Sequence, residues 1–297
     1  MARKLERKTM EELERRIKKE VEPHVGKPVA LSGGIDSSLL AVLARPRFVI
    51  SVKLPGDEKY DEIEWSSRVA AQLGLEHVIV EPDQEKFDEY TTEAVRAIGR
   101  PIPHFNVFPL WCMYQKLAEM GEKELILGDG PDETMCGYGR DLILHYLYNL
   151  YNVEALEHYK PLLDKVLPPK TKAIEALTGL KGFEDIVEVD IAMRKDMDDM
   201  SDGIAKHFGI KNIRPYQDNP EMDDYMRDLP ISQKIQGEYG KWLLRQILAQ
   251  YLPFIADRKK KVGGPVYPVN IIKKWMKDGE FDKKQWLKYQ EEILATK

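Results

Sequence analysis

The stretch Lys27-Pro28-Val29-Ala30-Leu31-Ser32-Gly33-Gly34-Ile35-Asp36-Ser37-Ser38 constrains this chain more than any other. A short apolar run ends in two glycines, and an apolar helical pattern (Leu39, Leu40, Val42, Leu43) follows at once. The pattern predicts strand, tight turn, helix. Such a turn aims backbone N–H groups and a helix N-terminus at one point, which suits a bound phosphate. The glycines let the backbone approach closely, and Ser32, Ser37 and Ser38 add hydroxyl donors. Asp36 is the odd member, because a carboxylate beside a phosphate is repelled unless a cation lies between them. Mg²⁺ takes carboxylate and phosphate oxygens together, so Asp36 is a candidate metal ligand. The string is not a Walker A loop, since no Gly-Lys-Ser/Thr follows at the required spacing.

The chain has 297 residues, enough to bury a large core. Apolar residues make up 43% and charged residues 32%, which excludes a disordered chain. A formal charge of −5 argues against a general nucleic-acid binder. No apolar run approaches the roughly 20 residues needed to span a bilayer. The start Met-Ala-Arg-Lys-Leu-Glu-Arg-Lys has no signal-peptide core, and a cytoplasmic location is expected. Cys112 and Cys136 are the only cysteines and form no Cys-x-x-Cys pair, so both are expected to pack as small apolar residues.

Lys4 to Val21 has apolar residues near helical spacing with mixed charges between them, an amphipathic helix with a solvated face. Strands are expected at Arg47–Leu54, Glu76–Val80 and Lys123–Leu127. Helices are expected at Glu62–Leu73, Phe87–Ile98 and Phe108–Met120. This alternation predicts an α/β fold with a doubly wound parallel sheet, ligands lying at the carboxyl ends of its strands. Beyond Tyr138 the strand signal fades. Helices are read at Leu142–Leu156, Tyr159–Val166, Thr171–Leu177, Glu188–Phe208, Lys234–Tyr251 and Ile271–Lys277, a helical layer on the same domain.

A second turn, Leu127-Gly128-Asp129-Gly130-Pro131-Asp132-Glu133, repeats the logic of the first. A strand ends, glycines admit close approach, and carboxylates face the same predicted sheet edge. Asp132 is a candidate to share a metal with Asp36 across a pyrophosphate, and Asp129 or Glu133 a candidate base or orienter. His104 in its Pro-flanked loop, His77 on the third strand, and the acidic set Asp196, Asp198, Asp199 and Asp202 read as surface or packing residues. The run Arg258 to Lys261, followed by Val262-Gly263-Gly264-Pro265, is read either as closing over pyrophosphate or as an exposed helix end.

The Ser-Gly-Gly-x-Asp-Ser turn resembles the PP-loop of enzymes that cleave ATP to AMP and pyrophosphate. The chain as a whole resembles the synthetase domain of class B asparagine synthetase, a relative of β-lactam synthetase. The similarity rests on several strings in family order, from about residue 27 to 265. Leu31 to Ser38 fits Leu-Ser-Gly-Gly-Leu-Asp-Ser-Ser at all but one place, and Val52, Leu54, Pro55 and Gly56 resemble the second-strand exit. Leu73-Gly74 with His77 fits Leu-Gly-x-x-His. Leu127 to Glu133, with Gly137-Tyr138 downstream, resembles Ser-Gly-Glu-Gly-Ser-Asp-Glu. Lys241 to Arg245 fits Lys-x-x-Leu-Arg, while Leu252-Pro253, Arg258 and Lys260 resemble the family's downstream Leu-Pro and Arg-x-Lys.

The resemblance implies a helix over 1–25 packing on one domain over 26–297, with an α/β nucleotide-binding half (26–140) and a helical half (141–297). It implies ATP and Mg²⁺, adenylation of a small carboxylate with aspartate the leading substrate, and transfer of the acyl group to ammonia or a small amine. Leu31, Ser32, Gly33, Gly34, Asp36, Ser37, Ser38, Val52 and Gly128 would bind the nucleotide, Asp36 and Asp132 the metal. Lys241 and Asp129 would be catalytic. The family's glutamine-hydrolysing domain is not expected here, which implies free ammonia, another amine, or a separate ammonia-supplying subunit. Asp129 stands in place of a family glutamate, and Lys211 to Asp218 departs from Glu-x-Arg-x-Pro-Phe-Leu-Asp, with its glutamate lost and its arginine shifted. Arg100 replaces the glutamate of Glu-Pro, and Lys53 a glycine. Two other classes are compatible with the first turn: a tRNA-modifying PP-loop enzyme and a non-catalytic nucleotide-binding regulator.

Overall fold

The structure is a computed structural model that describes residues 2–53, 62–104, 106–139, 141–142, 184–258, 275–277 and 280–296. The expected second-strand exit at 54–56, three of the expected helices between 143 and 177, and Lys259 to Pro265 lie outside these residues. The chain forms two compact units that interleave in sequence. One comprises Val21–Leu127, Asp196–Ile213 and Lys260–Lys297. The other comprises Met1–Glu20, Gly128–Lys195 and Arg214–Lys259.

The first unit holds a five-stranded sheet: β1 (Val29–Ala30), β2 (Phe48–Val52), β3 (Glu76–Val80), β4 (Glu124–Ile126) and β5 (Lys211–Ile213). The order is β3-β2-β1-β4-β5 and every pairing is parallel. The register sets Val29 beside Val49 and Ile126, and Ile126 beside Ile213. Strand order reverses at β1, so the crevice of this doubly wound sheet opens at the carboxyl ends of β1 and β4. β1 and β2 are apolar and largely buried, as parallel strands covered on both faces must be.

The helices that join or follow these strands include α2 (Ile35–Ala44), α3 (Ile63–Leu73), α4 (Phe87–Ile98), α5 (Val107–Glu119) and, at the C-terminus, a helix over Lys283–Ala295. α3 and α4 end where left-handed Gly74 and Gly99 cap them. The core on one side of the sheet joins Phe48, Ile50, Phe87, Phe108, Trp111 and Trp286. Trp286 is fully buried, and its indole N–H donates to Ile102 O at 2.8 Å. Trp286→Ala removes both that bond and the packing, and a loss of about 3–5 kcal/mol is expected in denaturant melts.

β5 corrects the expectation of an all-helical second half. Its sequence is Lys-Asn-Ile, with no apolar run to announce it. Asn212 is buried at low cost because it accepts from the Tyr114 hydroxyl at 2.7 Å and donates to Asp202 at 2.8 Å.

In the second unit, α1 (Ala2–Val21) buries Leu13 and Ile17. Its polar residues reach the rest of that unit: Glu6 accepts from the Trp242 indole and Glu14 from the Tyr251 hydroxyl, each at 2.7 Å. The unit also holds α6 (Pro131–Thr134), the first half of α7 (Glu184–His207), α8 (Pro220–Arg227), α9 (Ile231–Lys234), α10 (Trp242–Ala249) and α11 (Pro253–Ala256). The single helix expected over Lys234–Tyr251 is therefore broken. Gly237 and Lys241 take positive φ, and Gln236 and Tyr239 form a bridge between the two pieces. In chain order the C-terminal helix is α12, preceded by a short antiparallel pair, β6 (Met276–Lys277) and β7 (Glu280–Phe281). Met276 and Lys277, expected to close a helix, thus form a strand, because they pair with Phe281 and Glu280.

Candidate active site

In the first unit, the Gly-rich turn leaves β1 and enters α2. Leu31 N–H donates to Ile50 O, so the strand pairing runs up to the turn itself. Ser32 and Ser37 lie hydroxyl to hydroxyl at 3.0 Å, and Ser37 Oγ also accepts from Ser32 N–H at 3.2 Å. Gly33 has φ +69°, and a Cβ there would lie 2.7 Å from Ser66 N and 2.8 Å from Trp65 Cβ. Only glycine suits both the conformation and the space. Asp36 and Ser38 sit buried in the first turn of α2, and Ser38 Oγ has no hydrogen-bond partner among the described residues. Val52, the last residue of β2, is half-buried.

Beneath this turn runs a chain of hydrogen bonds that sequence reading missed. Ser67 Oγ donates to His77 Nδ1 at 3.3 Å, and His77 Nε2 donates to Ser51 Oγ at 2.8 Å. Ser51 Oγ in turn donates to Leu31 O at 2.5 Å. The pattern places the proton of a neutral imidazole on Nε2. His77 is thus packed, as expected, but it also anchors the residue that opens the turn. Burial pushes its pKa below the usual 6.5. The unfolded chain then takes up a proton that the folded state refuses, so stability falls as pH drops below 6.5. His77→Gln should flatten that part of the profile in melting temperatures taken from about pH 8 to about pH 5.

In the second unit, the acidic turn gathers around Lys241. Lys241 Nζ lies 2.6 Å from Asp132 Oδ1; the lysine side chain is 8% exposed and the carboxylate 40%. Two glycines bring these segments together. A Cβ on Gly137 would fall 2.1 Å from Asp132 Oδ1 and 2.2 Å from Lys241 Cε, and one on Gly240 would fall 2.0 Å from Cys136 O. Lys241 N–H donates to Met135 O at 2.9 Å. Lys241 itself has φ +55°, a left-handed conformation that costs a side-chain-bearing residue of order 1–2 kcal/mol.

Asp129 meets Arg214, whose Nε lies 3.3 Å from Asp129 Oδ2; the arginine is buried and the carboxylate half-exposed. Arg214, from the 211–218 string, thus lands on Asp129 of the acidic turn. Arg214 N–H also donates to Asp218 at 2.7 Å, which holds the turn after β5. Glu133 accepts from the Tyr138 hydroxyl. Burial pushes its carboxyl up to about 7; the tyrosine bond opposes the rise and the charge of Asp132 adds to it.

Three of the acidic candidates have structural partners. Asp196 and Asp199 pair with Arg100 at 3.6 and 3.3 Å, and Asp202 is bound to Asn212. Burial pushes the thiols of Cys112 and Cys136 up to about 12, which makes them inert. Among the described residues no group of three or more His, Cys, Asp or Glu side chains could hold a metal ion. A Mg²⁺ that takes one or two carboxylates and completes its shell with phosphate oxygens and water needs no such group; Asp36, buried at the start of α2, and Asp132, paired with Lys241, each offer a carboxylate of the kind it takes.

The parallel sheet with a Ser-Gly-Gly-x-Asp-Ser turn after its central strand defines an α/β protein of the PP-loop type. Residues 8–287 match the family described as asparagine synthase, and the chain belongs to that family. It is 25% identical over 271 residues to a protein of Methanocaldococcus jannaschii provisionally named a glutamine-hydrolysing asparagine synthetase. That match covers 83% of this chain and 48% of the relative. It is 26% identical over 256 residues to carboxyethyl-arginine β-lactam-synthase of Streptomyces clavuligerus, covering 84% of this chain and 42% of the relative. The chain thus spans about half the length, or less, of the curated relatives it matches. Among the described residues no helix is long and apolar enough to cross a membrane.

Proposed function

We propose that this chain is an ATP-dependent carbon–nitrogen ligase. A carboxylate oxygen of the acyl substrate attacks the α-phosphorus of ATP and pyrophosphate leaves. Ammonia or a small amine then attacks the acyl-adenylate carbonyl, forming the amide and releasing AMP. Aspartate is the leading acyl substrate, and ammonia or a small amine is the nucleophile, with a separate ammonia-supplying subunit one source of it.

The observation that carries this reading is the Lys241–Asp132 ion pair at 2.6 Å. It joins two strings that match one family and lie far apart in the chain. Under this proposal, Ser32, Gly33, Gly34, Ser37 and Ser38 hold phosphates, while Leu31, Val52 and Gly128 lie near the adenine. Asp36 and Asp132 hold Mg²⁺, which would neutralise phosphate charge. The Lys241 ammonium stabilises charge that develops on the phosphates in the transition state. Asp129, held by Arg214, faces the acyl and amine side. A carboxylate one methylene shorter than the family's is set back by ~1 Å, a displacement that can cost ~10²-fold with the wrong substrate. An acyl substrate other than aspartate is therefore the first alternative to test.

The test is incubation with ATP, Mg²⁺, ammonium and a panel of amino acids, with nucleotides separated afterwards. AMP and pyrophosphate are expected with one acyl substrate. ADP and phosphate in their place would sink the mechanism. Tight, salt-sensitive tRNA binding would favour the tRNA-modifying alternative, and ATP binding without turnover the regulator.

A further inference from the structure

We infer that Arg245 is a positioning residue: its guanidinium clamps the left-handed turn that carries Lys241 and ties that turn to the end of α11. The inference rests on the proposed role of Lys241 for its kinetic consequence, though not for its geometry.

The clamp consists of three hydrogen bonds to backbone carbonyls from two segments. Arg245 Nε donates to Gly240 O at 2.8 Å. Its Nη1 donates to Ala256 O at 2.7 Å and to Arg258 O at 2.8 Å. The carbonyl of Gly240 belongs to the peptide bond that leads into Lys241. That peptide needs holding. Lys241 sits at φ +55°, its neighbour Gly240 has no room for a Cβ against Cys136 O, and Cys136 is itself at φ +57°. Two strained, side-chain-bearing residues therefore face one another across a backbone contact. Strain of this kind persists only where surrounding bonds over-determine it. Lys241 N–H to Met135 O secures one side of the turn, and Arg245 secures the other.

The fork of donors explains why arginine serves here. A planar guanidinium can serve several carbonyls at once along fixed directions, whereas a lysine ammonium on a flexible stem cannot reproduce that geometry. The same group fixes Arg258 O, the point where the basic run Arg258-Lys259-Lys260-Lys261 begins. Arg245 thus sets the position of the Lys241 amine and of the start of that run together.

The first readout needs no substrate. Lysines are reductively methylated with formaldehyde and cyanoborohydride, and each site is quantified by mass spectrometry. Lys241, 8% exposed and paired with Asp132, should react slowly; Lys288, 75% exposed, serves as internal reference. Arg245→Lys and Arg245→Met should raise the Lys241 to Lys288 labelling ratio several-fold, Met more than Lys. Should the Met variant fail to fold, the Lys variant decides, and an unchanged ratio in folded Arg245→Lys overturns the inference.

The second readout is ATP–pyrophosphate exchange with aspartate in a double-mutant cycle. Arg245→Lys should lower kcat by ~10-fold with little change in the KM for ATP. Arg245→Lys added to Lys241→Met should cost nothing further, because its effect passes through Lys241. Losses that multiply would give Arg245 an independent role and overturn the inference. If Lys241→Met leaves exchange intact, the catalytic role proposed for Lys241 fails, while the labelling ratio still judges the clamp; absence of exchange in the wild-type protein with every amino acid of the panel is what would count against the proposed function.

Discussion

Lys241→Met is expected to lower kcat by at least ~10²-fold while nucleotide affinity changes little. Methionine keeps the apolar stem of a side chain that is 8% exposed, so packing at the start of α10 survives. What disappears is the ammonium on Asp132. If that charge acts on phosphate oxygens as pyrophosphate departs, its loss is felt in the transition state far more than in the bound ground state. A drop in kcat with an unchanged KM for ATP is the kinetic signature of that difference. Steady-state measurement across ATP concentrations, with a melting curve to confirm folding, checks it. A Lys241→Met enzyme of near-normal kcat would remove this residue from the chemistry and with it the role assigned to its pair with Asp132.

Gly33→Ala should abolish measurable nucleotide binding, with affinity falling by ~10²-fold or more. Two penalties combine at this position. The residue sits at φ +69°, where an alanine costs of order 1–2 kcal/mol. Its new Cβ would also meet Ser66 N at 2.7 Å and Trp65 Cβ at 2.8 Å, and these atoms belong to backbone and to the root of a side chain. Neither can swing aside as the end of a long side chain would, so the turn itself must shift, and a displacement near ~1 Å disorganises every donor aimed at the phosphates. Calorimetric titration with ATP and Mg²⁺ measures the effect. Wild-type affinity in a folded Gly33→Ala protein would place the nucleotide somewhere other than this turn.

The two turns were legible in the residues because each is a local event. Apolar runs that stop at Gly33-Gly34 and at Gly128 end strands for reasons contained within a few residues. The same holds for Phe87–Ile98, whose helical spacing and terminal Gly99 place both ends of α4 correctly. The acidic turn and the Lys-x-x-Leu-Arg string could be named as chemistry, and a family could be named from their order. By contrast, β5 was hidden, since Lys-Asn-Ile carries no apolar pattern and becomes a strand only beside Glu124–Ile126. The long helix read over Lys234–Tyr251 failed because its apolar spacing continues through Gly237 and Gly240, where the backbone has to turn.

Composition and periodicity thus determined the class of fold, the alternation that builds the sheet, and the places where glycine and carboxylate could meet a phosphate. Tertiary structure alone decided which side chains meet. Lys241 reaches Asp132 because Gly137 and Gly240 let two distant segments touch backbone to backbone, and because Arg245 holds a strained turn closed. Arg214 reaches Asp129, and His77 reaches Leu31 through Ser51, by the same kind of long-range packing. A period of about 2 or 3.6 residues records which face of an element is buried. It carries no record of what lies against that face, because contacts between residues far apart in the chain follow from the register and packing of the whole fold.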